Sequence, residues 1–220
     1  MHCFRSIAIN HLLAETRGSN IGLAFLYCEY KEQTKQTVSN LLASLLKQFT
    51  QQRPSLCDSL ADLYGWHSNR ETRLSIEEIS GALRVAVASF SKVFIVIDAV
   101  DECCDEWRVQ LLTELQNLSV TVNLMMTSRP HTNLGTIFRQ ITKAEIRASD
   151  QDLQTYINGR ISWDPRLSLT VKADVELHRR VMHAITNTAK GMYVSRDGLE
   201  FSISPCLVTF VPFCRRKKQY

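Results

Sequence analysis

The stretch KVFIVID, residues 92–98, constrains the fold more than any other segment of this 220-residue chain. Five apolar residues stand in a row and four of them are β-branched. A strand with one wet face alternates apolar and polar residues, whereas a continuous run of this kind has no wet face. Such a strand belongs inside a sheet that helices cover on both sides, the α/β arrangement. VNLMMTSRP (122–130) has the same character and ends in polar residues. Between the two lies EWRVQLLTELQNL (106–118), which reads as a helix through Trp107, Leu111 and Leu115. Strands joined through a helix run parallel when they share a sheet, by right-handed crossovers.

The remaining segments extend the pattern. SIAINHLLAE (6–15) reads as a helix and GLAFLYCEY (22–30) as another buried strand. TVSNLLASLLKQF (37–49) places Val38, Leu41, Leu42, Leu45, Leu46 and Phe49 on one helical face. QQRPSLCDSLADLYGWHSNRET (51–72) reads as a polar connection with short helical turns. Ser75 followed by Glu78 has capping-box spacing, and Ile76, Ile79, Leu83 and Val87 continue that helix's apolar face. AEIRA (144–148) is a candidate short last strand, and 149–161 and 171–192 read as helices. The expected organisation is an α/β core over 1–148, a small helical segment over 149–193, and an aberrant, disordered tail over 194–220.

Charge narrows the partners. Lys plus Arg exceeds Asp plus Glu by four, and Arg215, Arg216, Lys217 and Lys218 account for the whole excess. The body of the chain is balanced, which argues against a nucleic-acid-binding face spread over it. Seven cysteines include no C-x-x-C pair, and no histidine stands at zinc-ligand spacing from them. They read as reduced, mostly buried thiols of a cytoplasmic protein. His178 and His183 are five apart, not the i, i+4 of a helical zinc site, and read as surface residues. The N-terminus has no signal-peptide pattern. The apolar run 201–214 is too short for a bilayer and contains Pro205 and Pro212, so no membrane partner is expected.

In an open parallel sheet the ligand crevice lies at the carboxyl ends of the strands. That edge gathers Asp98, Asp101, Glu102, Ser128 and Arg129. An acid at the tip of an apolar strand can hold magnesium beside a nucleotide's phosphates, the role expected of Asp98. A second acid can orient or deprotonate the attacking water, the catalytic role expected of Asp101 and Glu102. An arginine from the next strand can stabilise phosphoryl charge, the role expected of Arg129. The plainer alternative is that these acids merely begin the following helix, where its dipole favours them, and that Arg129 is a surface residue before the turn-forming Pro130.

The combination resembles the NACHT family of STAND NTPases, of the fungal type grouped with nephrocystin-like N-terminal domains. FIVIDAVDEC (94–103) is similar to that family's Walker B, and LMMTSRP (124–130) to its sensor strand, with Arg129 at the sensor position. FLYCEYKEQ (25–33), DLQTYINGRI (152–161) and AITNTAKGM (184–192) resemble other segments of the family, so the likeness covers roughly 6–193. It implies an ASCE-type parallel P-loop NTPase sheet and ATP or GTP with Mg2+ as cofactor. It also implies descent from a nucleotide-dependent switch that controls oligomerisation.

One family element is not found. None of the eight glycines is followed by Lys, so the chain contains no G-x-x-x-x-G-K-[ST] phosphate cradle. In the family that loop directly precedes the helix that 6–15 resembles. The expectation is an N-terminally truncated, incomplete parallel sheet with a vacant strand position between the sensor strand and the last strand, which AEIRA could move in to fill. Nucleotide binding would then be weak or lost and hydrolysis negligible. The alternative is a non-enzymatic protein that binds full-length NACHT relatives, or itself, by strand addition at the open sheet edge. A third and weaker reading borrows a P-loop from another chain. Beyond 193 the apolar periodicity is lost, consistent with translation of a retained intron or a frame change, and RRKK (215–218) reads as an accidental charge run ahead of a nuclear-localisation signal.

Overall fold

The structure is a computed structural model that describes residues 2–16, 18–118, 122–129, 132, 134, 137–138, 141–146, 149–189 and 206–212. The elements follow one another as α1 (His2–Thr16), β1 (Ile21–Tyr27), α2 (Val38–Gln52), α3 (Ser55–Ser68), α4 (Ile76–Ala88), β2 (Lys92–Asp98), α5 (Asp105–Gln116), β3 (Val122–Ser128), β4 (Thr142–Ile146), α6 (Asp150–Trp163), α7 (Pro165–Ala173), α8 (Val175–Ala189) and β5 (Cys206–Pro212). The strands make one five-stranded sheet in the order β1-β2-β3-β5-β4. β1, β2 and β3 are parallel, with Tyr27 opposite Asp98 and Ile97 opposite Met126. Their carboxyl ends therefore meet on one edge.

Side-chain alternation divides the sheet into two faces. Ala24, Leu26, Val93, Ile95, Ile97, Val122, Leu124 and Met126 join the large core formed with α2, α3, α4 and α5. Leu23 and Val96 pack on the other face against Ile9 of α1, with Leu12, Phe25, Phe94 and Met125 around them. α2 buries the six residues its periodicity predicts. α4 begins with the expected capping box between Ser75 and Glu78. Residues 55–68, read as a polar connection, form a helix that sets Leu56 and Leu60, one turn apart, into the core. Among the described residues Leu56, Leu60 and His67 are the buried positions of this helix and stand at helical spacing, but the polar residues around them read as a connection. Near the start of β1, Gly22 lies where a Cβ would come within 3.0 Å of the Phe90 ring and 3.1 Å of Phe49, so the two rings pack directly on bare backbone.

The sheet is mixed, which corrects the expected all-parallel, incomplete arrangement. β5 runs antiparallel between β3 and β4 and fills the position expected to be vacant. Residues 142–146 do not move in beside β3, but pair with β5 instead. The strand comes from the segment expected to be a disordered tail. The physical reason is the row of N–H and C=O groups along β3, which needs a partner, and a β-branched segment able to supply one. Val208, Thr209 and Val211 are all buried there, although the Thr209 hydroxyl finds no hydrogen-bond partner among the described residues. The RRKK run and residues 190–205 lie outside the described residues.

β1 is the edge strand on the other side, and it is closed by side chains. Gln52 accepts from the Leu23 N–H (2.9 Å) and donates to the Leu23 carbonyl (2.6 Å). Gln48 does the same for Phe25, at 2.9 and 2.8 Å. Gln36 donates to the Tyr27 carbonyl and accepts from the Glu29 N–H, both at 3.0 Å. The fit of α2 to β1 follows from geometry: four helical residues rise about 6 Å and two strand residues about 6.6 Å, so glutamines at i and i+4 meet alternate strand residues.

The helical region after the sheet is one helix richer than expected, because the chain breaks at Asp164 and Asp174. Asp164 caps α7 by accepting from the N–H groups of Arg166 and Leu167. Among the described residues no helix is long and apolar enough to cross a membrane.

Two outcomes follow. Replacing Gln48 and Gln52 together by Ala should lower stability by about 1–3 kcal/mol, since each lost bond is worth roughly 1 kcal/mol and the site is partly wet. It should also produce concentration-dependent association, seen by light scattering, as the β1 edge opens; an unchanged monomer of unchanged stability would contradict the role given to these glutamines. Removing residues 194–220 should make the chain aggregate on refolding under conditions where the full chain does not. A truncated chain with the same urea midpoint would contradict the place of β5.

Candidate functional site

The sequence places five polar residues on the carboxyl edge of the sheet, and each takes a defined position there. Asp98 ends β2 on the face that α1 covers and is only 2% exposed. A carboxylate removed from water needs donors. Thr127, next along β3 from the residue opposite Ile97, donates its hydroxyl to Asp98 Oδ1 at 2.7 Å. The same hydroxyl accepts the Ala99 N–H at 2.8 Å. Thr127 thus uses its dual capacity to fix both the acid and the turn that follows it.

That turn is sharp. Ala99 adopts a left-handed backbone (φ 53°, ψ 48°), which costs a non-glycine residue about 1 kcal/mol. Residues 100–102 then form a single 3-10 turn, closed by the Glu102 N–H on the Ala99 carbonyl at 2.8 Å and anchored by fully buried Val100. The turn sends Asp101 and Glu102 in different directions. Asp101 faces β3: it accepts from the Arg129 backbone N–H at 3.3 Å and pairs with Arg129 Nε at 3.3 Å. The Asp101 side chain is 8% exposed and that of Arg129 is 39% exposed. Glu102 faces β1: its Oε2 accepts from the Tyr30 N–H at 3.0 Å, and its carbonyl accepts from Gln33 Nε2 at 2.6 Å. The Cys28 N–H bonds the Asp98 carbonyl at 3.0 Å, continuing the β1–β2 ladder past the strand ends. Ser128 is buried and donates to the Arg129 carbonyl at 3.1 Å.

Asp98, Asp101, Glu102 and Arg129 are therefore gathered on one edge, as the sequence predicts, each engaged by a neighbouring strand or loop. Sequence reasoning missed Thr127, Tyr30, Gln33 and the contact between Cys28 and Cys103, whose sulfurs lie 3.1 Å apart. Thr127 had a legible signal, since parallel register sets it beside Asp98. The loop contacts of Tyr30 and Gln33 had none, because they span about seventy residues of sequence.

The first three strands and the whole of this edge fall within one stretch that a family model recognises. The model described as Nephrocystin 3, N-terminal, matches residues 3–129, more than half of the chain. No curated protein and no solved structure gives a match. The matched span runs from α1 to Arg129 and includes every residue of the acid cluster, so the chain belongs to the nephrocystin 3 N-terminal family, the nephrocystin-like N-terminal domain of NACHT proteins.

Proposed function

We propose that this chain is the Walker B and sensor part of a cytoplasmic NACHT-type nucleotide switch, and that by itself it binds ATP or GTP weakly and hydrolyses little. The observation that carries the reading is the mutual engagement of the site: Asp101 with Arg129, and Glu102 with the backbone of Tyr30. In this arrangement the acids tie the ends of β1, β2 and β3 together. The catalytic role expected of Asp101 and Glu102, and the phosphate role expected of Arg129, would require these contacts to be exchanged for contacts to nucleotide.

The donor set does not fit a resident magnesium–nucleotide complex as it stands. Magnesium in such sites takes one or two carboxylates and leaves its other positions to phosphate and water. Asp98 stands at the right strand end but is buried and turned onto Thr127. The described residues hold no cluster of three or more His, Cys, Asp or Glu able to bind a metal ion, and the 220 residues contain no P-loop motif to cradle phosphates.

A second reading is a non-enzymatic module that binds full-length NACHT relatives or a copy of itself. Support for it is the outer edge of β4, which has no strand partner among the described residues and whose first four residues are exposed. The edge expected to serve this purpose, along β3, is occupied by β5.

Titration with fluorescent ATP and GTP analogues in the presence of magnesium tests the first reading. The expected dissociation constant is above about 1 mM, weaker than ~4 kcal/mol of binding. Tight magnesium-dependent binding that disappears in Asp98→Asn would overturn it. Arg129→Ala should lower stability in urea by about 1–2 kcal/mol, because it leaves buried Asp101 with one fewer donor. Unchanged stability in that variant would mean that the ion pair does not hold the edge together. Retention of a full-length relative on the immobilised chain would support the second reading.

A further inference from the structure

Cys28 and Cys103 come from segments seventy-five residues apart, yet their sulfurs lie 3.1 Å from one another. Both thiols are buried, each 4% exposed, whereas Cys57 is exposed and Cys104 partly so. The backbones on either side are already fastened. The Cys28 N–H is bonded to the Asp98 carbonyl, and Glu102, the residue before Cys103, is bonded to Tyr30 and Gln33. A disulfide has an S–S length of about 2.05 Å, so the sulfurs need to close by only about 1 Å.

We propose that Cys28 and Cys103 are a reversible oxidation site, at which hydrogen peroxide converts the dithiol to a disulfide that staples the end of β1 to the acid turn. Its formation does not depend on nucleotide binding. The two thiols differ in a way that orders the chemistry. The hydrogen bond between the two thiols pulls Cys103 below its ordinary value and the Arg108 guanidinium adds to this, while burial and the Asp101 and Glu102 carboxylates oppose it. The same hydrogen bond, and then burial, pushes Cys28 up. Arg108, which donates to the Cys103 carbonyl at 3.3 Å, stands beside Cys103, and the attack is assigned to this sulfur once it is deprotonated. It displaces hydroxide from one peroxide oxygen, the O–O bond breaks, and the hydroxide leaves as water after taking a proton. Cys103 is left as a sulfenic acid. Cys28 sulfur then attacks the Cys103 sulfur, the S–O bond breaks, and a second water carries off the Cys28 thiol proton. Two thiols are oxidised and one peroxide is reduced to two waters.

The product would fix the segment carrying Tyr30 and Gln33 against Glu102 by a covalent bond, where hydrogen bonds and core packing hold it now. In a reducing compartment such a bond is transient and belongs to sensing more than to structure.

The test treats the purified full chain with hydrogen peroxide, blocks the remaining thiols, and maps cysteine pairs by tandem mass spectrometry without reduction. The expected result is a cross-linked pair of peptides joining Cys28 to Cys103, with the loss of two free thiols reversed by dithiothreitol. Fragmentation between Cys103 and Cys104 assigns the partner. Cys104→Ser should leave the cross-link intact, and Cys103→Ser should abolish it. Because wild-type protein alone gives the primary readout, a variant that fails to fold does not blunt the test. A Cys28–Cys104 link, or oxidation confined to Cys57 while Cys28 and Cys103 stay reduced, would overturn the proposal.

Discussion

β2 buries Val93, Ile95, Val96 and Ile97 to 1% exposure or less, with β1 on one edge and β3 on the other. A strand so enclosed obliges its surroundings. Both faces need apolar cover, which α2, α3, α4 and α5 provide on one side and α1 on the other. Both edges need strands, and those strands in turn need partners or caps of their own. β3 obtains β5, and β1 obtains a row of glutamines. The enclosure also ends in Asp98, and a charge at that depth is tolerable only with donors placed for it. Thr127 is one such donor, and by holding Ala99 as well it shapes the turn that separates Asp101 from Glu102.

The acid cluster thus behaves as a knot at the ends of three parallel strands. Asp101 reaches towards β3 and Glu102 towards the loop after β1, so each strand end is bound to the same short turn. Any ligand that claimed these groups would loosen the strand ends as it bound. A ligand moves such an equilibrium only by interacting differently with its two states.

Much of this was legible in the residues. The unbroken run KVFIVID and the strict period of α2 declare their burial, because nothing polar interrupts them. The Ser75–Glu78 box announces a helix start by its own local chemistry. The acid and arginine positions followed from strand ends alone. What was not legible depends on distant pairing. Residues 206–212 become a strand because β3 has a free edge, a condition that their own composition does not encode. α3 turns Leu56, Leu60 and His67 inward among the described residues, and the polar residues between them disguise that spacing as a connection. The ties of Tyr30 and Gln33 to Glu102 arise from loop placement, and loop placement is set by the whole fold.

The glutamines along β1 have a consequence for symmetry. A sheet that grows by edge addition into a fibre needs two open edges, one to receive and one to present, so that the contact is head-to-tail and never closes. Here one end is sealed by amide groups borrowed from a helix of the same chain. Only the β4 end has no strand beside it among the described residues. Two copies meeting there can pair only like with like, about a two-fold axis, and once paired they present no further edge. Were copies to associate through the described strands, the pairing would stop at two.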